Sequence, residues 1–212
     1  MKTRFKKIIS FVPLISNKVK LIISISLLLF SLAICLISKF SIISCICLLA
    51  MFFSFLGDLA LNCVPLEKRP HWQLYLGAFF FMLAHITYAT AYYWRISLSK
   101  ELFFNPGAII ACIFIILLFI TSVAATIYSK RKLKSMTIIV FCIYTFIIGI
   151  NFITIYSYSW IYGSLTFIGA LSFLISDFII GIETVFKVKS DILRKLVWIF
   201  YPIGQLIIIA CR

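Results

Sequence analysis

The stretch Leu21–Ser38 reads LIISISLLLFSLAICLIS: eighteen residues without a charge, with Lys20 before it and Lys39 after it. A helix needs about 20 apolar residues to cross a bilayer, and this run has none of the period-two alternation of a membrane β-strand. Six further stretches read the same way: Ser41–Val64, Trp72–Trp94, Phe103–Tyr128, Met136–Tyr156, Trp160–Ile182 and Ile192–Cys211. Together they occupy most of the 212 residues. The composition agrees: 64% of residues are hydrophobic and 12% charged, against about 45–50% and 25% in soluble domains. No room is left for a separate soluble catalytic domain. The expected fold is an all-α, polytopic transmembrane helical bundle of seven spans. It divides into a basic tail or interfacial segment over residues 1–20 and one bundle over residues 21–211, with an eighth span if residues 8–16 enter the bilayer.

Charge sets the expected orientation. The chain carries 20 Lys and Arg against 6 Asp and Glu, a net charge of +14. In a soluble protein this would suggest a nucleic-acid partner, but here the basic residues sit in short runs between apolar stretches. They read as topology signals and contacts to anionic lipid, so no nucleic acid is expected. Sixteen fall in the tail and the loops at 65–71, 129–135 and 183–195, and four on the other side, at Lys39, Arg95, Lys100 and Arg212. That split places the N-terminus inside and supports an odd number of spans. Localisation follows as multi-pass integral membrane, the cytoplasmic (inner) membrane if the source is bacterial. A tight turn is expected at Ser157-Tyr158-Ser159, between the fifth and sixth spans. The seven cysteines lie in or beside apolar runs and read as small apolar helix residues, not as a disulfide framework.

Inside a membrane the informative residues are the costly ones. An aspartate near a helix centre costs about 2.5–3.5 kcal/mol on insertion scales, so polar residues within spans carry the argument. These are Asp58, His85, Asn151, Asp177 and Gln205. Glu67, His71, Glu101 and Asp191 fall in loops, and Glu183 marks the inner end of the sixth span. Counting 1.5 Å per residue from the inner boundary puts Asp58 and Asp177 at one depth, roughly 8–9 Å in, and His85 and Gln205 roughly 20 Å in. Ser54, Asp58 and Asn62 share one edge of the second span. Gly77, Phe81, His85, Tyr88 and Tyr92 share a face of the third, and Arg194, Trp198, Tyr201 and Gln205 one of the seventh. Around Asp177 the small residues Gly169, Ala170, Ser172, Ser176 and Gly181 allow a neighbouring helix to approach closely.

Several chemistries are excluded. There is no G-x-S-x-G elbow and no phosphate-cradling Gly-rich loop. With two histidines in all, one of them in a loop, a three-histidine zinc site is impossible, and H-E-x-x-H is absent. No metal and no cofactor are expected. What remains is a pair of buried carboxyls, which can hold one proton between them and so act as acid and base. The same pair would serve proton coupling in a small transporter, which is the alternative reading. Such transporters usually show internal repeats or Gly/Pro-broken helices in matching positions, and neither is evident here.

The blocks Ser54-Phe55-Leu56-Gly57-Asp58, Gly77 through His85 to Tyr88, Gly169-Ala170 through Ser176-Asp177, and Tyr201 to Gln205 stand in the order of the lysoplasmalogenase (YhhN-like) family, which the chain resembles from about residue 54 to 208. The resemblance implies a small multi-pass membrane hydrolase that cleaves the vinyl-ether bond of lysoplasmalogens. The products are a fatty aldehyde and glycerophosphoethanolamine or glycerophosphocholine. It further implies that Asp58 and Asp177 are the catalytic pair. Ser54, His85, Tyr88, Tyr201 and Gln205 are the supporting or substrate-orienting groups, and the expected partners are a lysophospholipid substrate and membrane lipids. A vinyl ether is cleaved after protonation of its β-carbon, so one carboxyl must stay protonated while the other, ionised, activates water. Sequence does not separate the two roles; Asp177 as acid and Asp58 as base is the preferred order.

Overall fold

The computed structural model of the protein describes residues 16–62, 70–99, 103, 105–128, 135–186 and 190–212. Glu67, Glu101, Lys100, the basic runs at 65–69 and 129–134, and the apolar piece of the tail (residues 8–15) lie outside the described residues. The described helices are α1 (Asn17–Ile37), α2 (Ile42–Asn62), α3 (Pro70–Leu98), α4 (Pro106–Tyr128), α5 (Ser135–Tyr162), α6 (Thr166–Phe186) and α7 (Asp191–Ala210).

Their starts follow local capping chemistry. The Ser16 hydroxyl accepts the Val19 N–H at the head of α1, and the Ser190 hydroxyl accepts the Leu193 N–H at the head of α7. Asn105 Oδ1 accepts the Ala108 N–H at 3.0 Å. Pro70 and Pro106 open α3 and α4, where a missing N–H costs nothing. The turn from α1 to α2 passes through Lys39 (φ 51°) and Phe40 (φ 55°). The Phe40 N–H folds back onto the Cys35 carbonyl at 2.9 Å, which satisfies the open end of α1.

Six of the seven helices are long and apolar enough to cross a membrane, and α4 adds the shorter apolar run Pro106–Ile120. Six helices pack side by side in a closed ring, α1–α2–α3–α5–α6–α7 and back to α1; α4 stands outside it against α5. The interior mixes an apolar core, including Met51, Tyr92, Phe173 and Ile208, with many polar side chains, and the outer surface is strongly apolar. Ser24, Ser54, Asp58, His85, Asn151, Asp177 and Gln205 are buried, while Leu29, Ile37, Ile113, Ile116 and Phe146 are exposed. Apolar side chains facing lipid lose nothing, and polar ones must find partners within the bundle.

The structure corrects several local expectations. Ser157, Tyr158 and Ser159 do not turn; they are helical and buried within α5. Ser159 Oγ donates to the Ile155 carbonyl at 2.9 Å and Ser157 Oγ to the Phe103 carbonyl at 2.9 Å, so these hydroxyls are satisfied without breaking the helix. The turn falls after Tyr162, where Gly163 adopts φ 62°, a conformation that favours glycine. Asp191, expected in a loop, opens α7, and α3 runs on past Trp94 to Leu98.

Helices α6 and α7 meet through glycine. A Cβ on Gly204 would lie 2.8 Å from the Phe173 nitrogen and 2.9 Å from the Gly169 carbonyl oxygen. Both obstacles are backbone, so Gly204→Ala should force the helices apart, at a cost of about 1–3 kcal/mol. The expected outcome is a clear fall in the melting temperature of the detergent-solubilised protein. A variant melting like the parent would mean that this contact is looser than described.

Candidate active site

Asp58 sits on the inward face of α2, at the crossing with α1 and α7. Its Oδ2 is 2.5 Å from Ser24 Oγ on α1 and accepts the Tyr201 phenol of α7 at 2.8 Å. Ser24 Oγ also lies 3.0 Å from the carbonyl of Lys20, one turn earlier in α1. Edge-on packing of Tyr201 against Phe81 and Phe173, at 5.9 and 5.5 Å between ring centres, holds the phenol in place.

Asp177 approaches from α6. Its Oδ2 is 2.9 Å from His85 Nε2 on α3, and the other ring nitrogen, Nδ1, is 2.9 Å from Asn151 Nδ2 on α5. An amide N–H aimed at Nδ1 makes that nitrogen the acceptor, so Nε2 carries the hydrogen and donates it to the carboxylate. The Phe173 ring, 4.5 Å away between centres, covers the imidazole. The Tyr144 ring packs edge-on against the imidazole, 6.0 Å between centres, and lines the same space as Asp177. Asn151 Oδ1 is buried without a hydrogen-bond partner among the described residues. Three helices thus converge on one carboxyl, and three others on Asp58.

Both carboxyls line a single cavity of about 210 Å³, together with Phe81, Ser176 and Tyr201. Lys20, Asn62, Glu183, Arg194 and Trp198 surround it toward the ends of α1, α2, α6 and α7. A second space, a groove of about 100 Å³ walled by α3, α5 and α6, is lined almost wholly by apolar side chains such as Leu74, Val140, Phe141 and Phe178. Asp177, Phe81, Leu61 and Ile180 line both. The site is therefore amphipathic: Asp58 and Asp177 both line the charged cavity, and Asp177 also borders the apolar groove. Among the described residues no group of three His, Cys, Asp or Glu side chains comes together to hold a metal ion.

The YhhN family model matches residues 17–211. The chain belongs to the YhhN family. No curated protein and no solved structure matches it. The YhhN family includes lysoplasmalogenases. The match takes in α1, which lies outside the motif blocks read from residue 54 onward.

Within this YhhN chain the proposed supporting residues divide into two groups. Tyr201 and His85 touch the carboxyls. Ser54, Tyr88 and Gln205 do not line the cavity; they form their own buried chain, in which Tyr88 donates to Gln205 Oε1 at 2.6 Å and Gln205 Nε2 donates to Ser54 Oγ at 3.0 Å. That chain links α2, α3 and α7 beside the site. Counting from span ends puts His85 roughly 11–12 Å deeper than Asp177; in the structure the two side chains are in contact. Residue counts from span ends are therefore a poor depth gauge for side chains that reach toward one another. Glu183, read as a boundary charge, lies in α6 short of its end at Phe186 and lines the cavity.

Three residues at the site escaped the sequence reading: Ser24, Tyr144 and Lys20. A signal existed for the first. Ser24, Ser31 and Cys35 are the small buried residues of α1, and with Lys20 they follow helical spacing along one face. Tyr144 had no such signal, because aromatic residues are abundant on every helix.

Proposed function

We propose that the protein hydrolyses the vinyl-ether bond of lysoplasmalogens, releasing a fatty aldehyde and a glycerophospho-alcohol. The observation that carries this is a cavity that holds two buried carboxyls from different helices, one of which, Asp177, also borders an apolar groove. A single-chain lipid has that same division, and its vinyl ether lies at the junction between chain and headgroup. Membership of a family that includes lysoplasmalogenases supports the same reading.

Hydrogen-bond valence favours a division of labour opposite to the order preferred from sequence. Asp177 faces an N–H donor, His85 Nε2, which suits an ionised carboxylate. Ser24 has one hydroxyl hydrogen and two oxygens within reach, the Lys20 carbonyl and Asp58 Oδ2. If Ser24 donates to the carbonyl, the short contact to Asp58 is made by a proton on the carboxyl. Asp58 is then the acid and Asp177 the base.

The acid delivers its proton to the β-carbon of the vinyl ether, leaving an oxocarbenium ion on the carbon bonded to oxygen. The negative charge of Asp177 stabilises this cation, and Asp177 takes a proton from the water that attacks it. The resulting hemiacetal loses its hydroxyl proton to Asp58 and receives one on the glycerol oxygen from Asp177. Aldehyde and alcohol separate, and both carboxyls return to their starting states. Aldehyde release from a 1-alkenyl lysophospholipid by the purified protein tests the reading. No release, from protein that remains folded, overturns it.

The seven spans run with the N-terminus inside and the C-terminus outside in this reading, because basic residues divide sixteen to four between the two faces. Reporter fusions at Met1 and Arg212 should report opposite sides of the membrane. Finding both on one side would make the number of spans even and overturn the count of seven.

A further inference from the structure

The cavity mouth holds charges that the chemistry above does not use. Lys20 Nζ donates to Asn62 Oδ1 at 3.2 Å and lies 5.5 Å from the centre of the Trp198 ring. Among the described residues it forms no ion pair. Arg194 faces the same space from α7, and its pairings with Glu183 and Asp191 are both loose, at 3.8 Å. Glu183 Oε1 is buried and has no hydrogen-bond partner among the described residues. A half-buried Lys20 with no ion-pair partner among the described residues, beside a buried Glu183 oxygen that has no hydrogen bond and only a loose ion pair to the exposed Arg194, is costly unless a ligand completes it.

From this mouth we infer a binding site for a zwitterionic phospho-amine headgroup: Lys20 and Arg194 take the phosphate, and Glu183 takes the ammonium. The inference rests on the proposed lysolipid reading and names the part of the substrate that the carboxyls do not contact. Spacing supports it. Lys20 precedes Ser24, the Asp58 contact, by four residues, a rise of about 6 Å along α1. Phosphorus and the first alkenyl carbon of a lysoplasmalogen are six bonds apart, about 7 Å when extended, the reach of two residues of backbone. A phosphate held by Lys20 therefore presents the vinyl ether at the level of Asp58 and Asp177. The chain beyond it continues into the groove between α3, α5 and α6.

The test uses the full-length protein in detergent and three 1-alkenyl substrates: glycerophosphoethanolamine, glycerol 3-phosphate and plain glycerol as the polar part. The parent should prefer the first over the phosphate-free lipid by at least about tenfold in kcat/KM, the scale of one charge-assisted hydrogen bond. Lys20→Gln and Arg194→Gln should collapse the preference for phosphate. Glu183→Gln should spare that preference and remove only the preference for ethanolamine over bare phosphate. Binding of the unreactive 1-alkyl glycerophosphoethanolamine and 1-alkyl glycerol, followed by Trp fluorescence, separates this site from the catalytic reading. A parent that cleaves nothing, yet binds the phospholipid analogue in a Lys20-dependent way, keeps the headgroup site and overturns the hydrolase. Equal handling of the phosphate-free and phosphate-bearing lipids by the parent overturns the headgroup site. So does an equal loss on all three substrates in the Gln variants.

Discussion

Asp58→Asn and Asp177→Asn should each reduce vinyl-ether hydrolysis by about 10²–10⁴-fold, the usual contribution of a positioned acid or base. Asparagine keeps the shape of the side chain and retains an oxygen for Ser24 and Tyr201, or for His85, so insertion and folding should survive. The two losses should not multiply in the double variant, because a dyad that shares one proton fails as a unit. His85→Ala and Asn151→Ala should cost less than either, since both act on Asp177 through hydrogen bonds and not on the lipid. The parent should show a bell-shaped pH profile, falling at high pH as the acid loses its proton and at low pH as the base gains one. Aldehyde release measured at matched protein amounts, with thermal melts as the control for folding, decides the matter. A single Asn variant with near-parental turnover would assign that aspartate to helix–helix hydrogen bonding instead.

The second large effect concerns the substrate's own bond. A 1-alkenyl lysolipid should be cleaved, and its 1-alkyl counterpart should bind without reacting, because it has no carbon that can be protonated to an oxocarbenium ion. The 1-acyl lysolipid should also survive. Ester cleavage by acyl transfer needs a nucleophile activated by a base and an oxyanion hole; among the described residues the serine that contacts a site carboxyl, Ser24, is bonded to Asp58, the proposed acid, and the sequence has no G-x-S-x-G elbow. The contrast between alkenyl and acyl lipids should reach several orders of magnitude in turnover, whereas their binding should differ little, since chain and headgroup are shared. Turnover should slow in heavy water if carbon protonation is the hard step. Comparable cleavage of the acyl lipid would replace the vinyl-ether reading with that of a general lysolipase.

Much of this protein is legible along the chain. Hydrophobic runs between Lys and Arg predict the helices, because in a bilayer each span must satisfy its own backbone regardless of its neighbours. For the same reason Asp58 and Asp177 stand out on their own: an acid in an apolar run is costly wherever the helix ends up. Helical spacing also predicts that Ser54 and Asn62 share an edge with Asp58. Helix boundaries are less legible at Ser157-Tyr158-Ser159, where a turn is expected, because a hydroxyl can bond back to its own helix, as that of Ser159 does.

Which helices touch was decided only in three dimensions. The ring that joins α3 directly to α5 and leaves α4 outside brings His85 to Asp177 across 92 residues and Tyr201 to Asp58 across 143. Helix partners in a membrane are chosen by close packing at small residues such as Gly169 and Gly204, and by mutual satisfaction of buried polar groups, both properties of pairs of surfaces. A hydropathy pattern is a property of single segments, so it names the aspartates but not Ser24, the His85–Asn151 pair or the cavity between them.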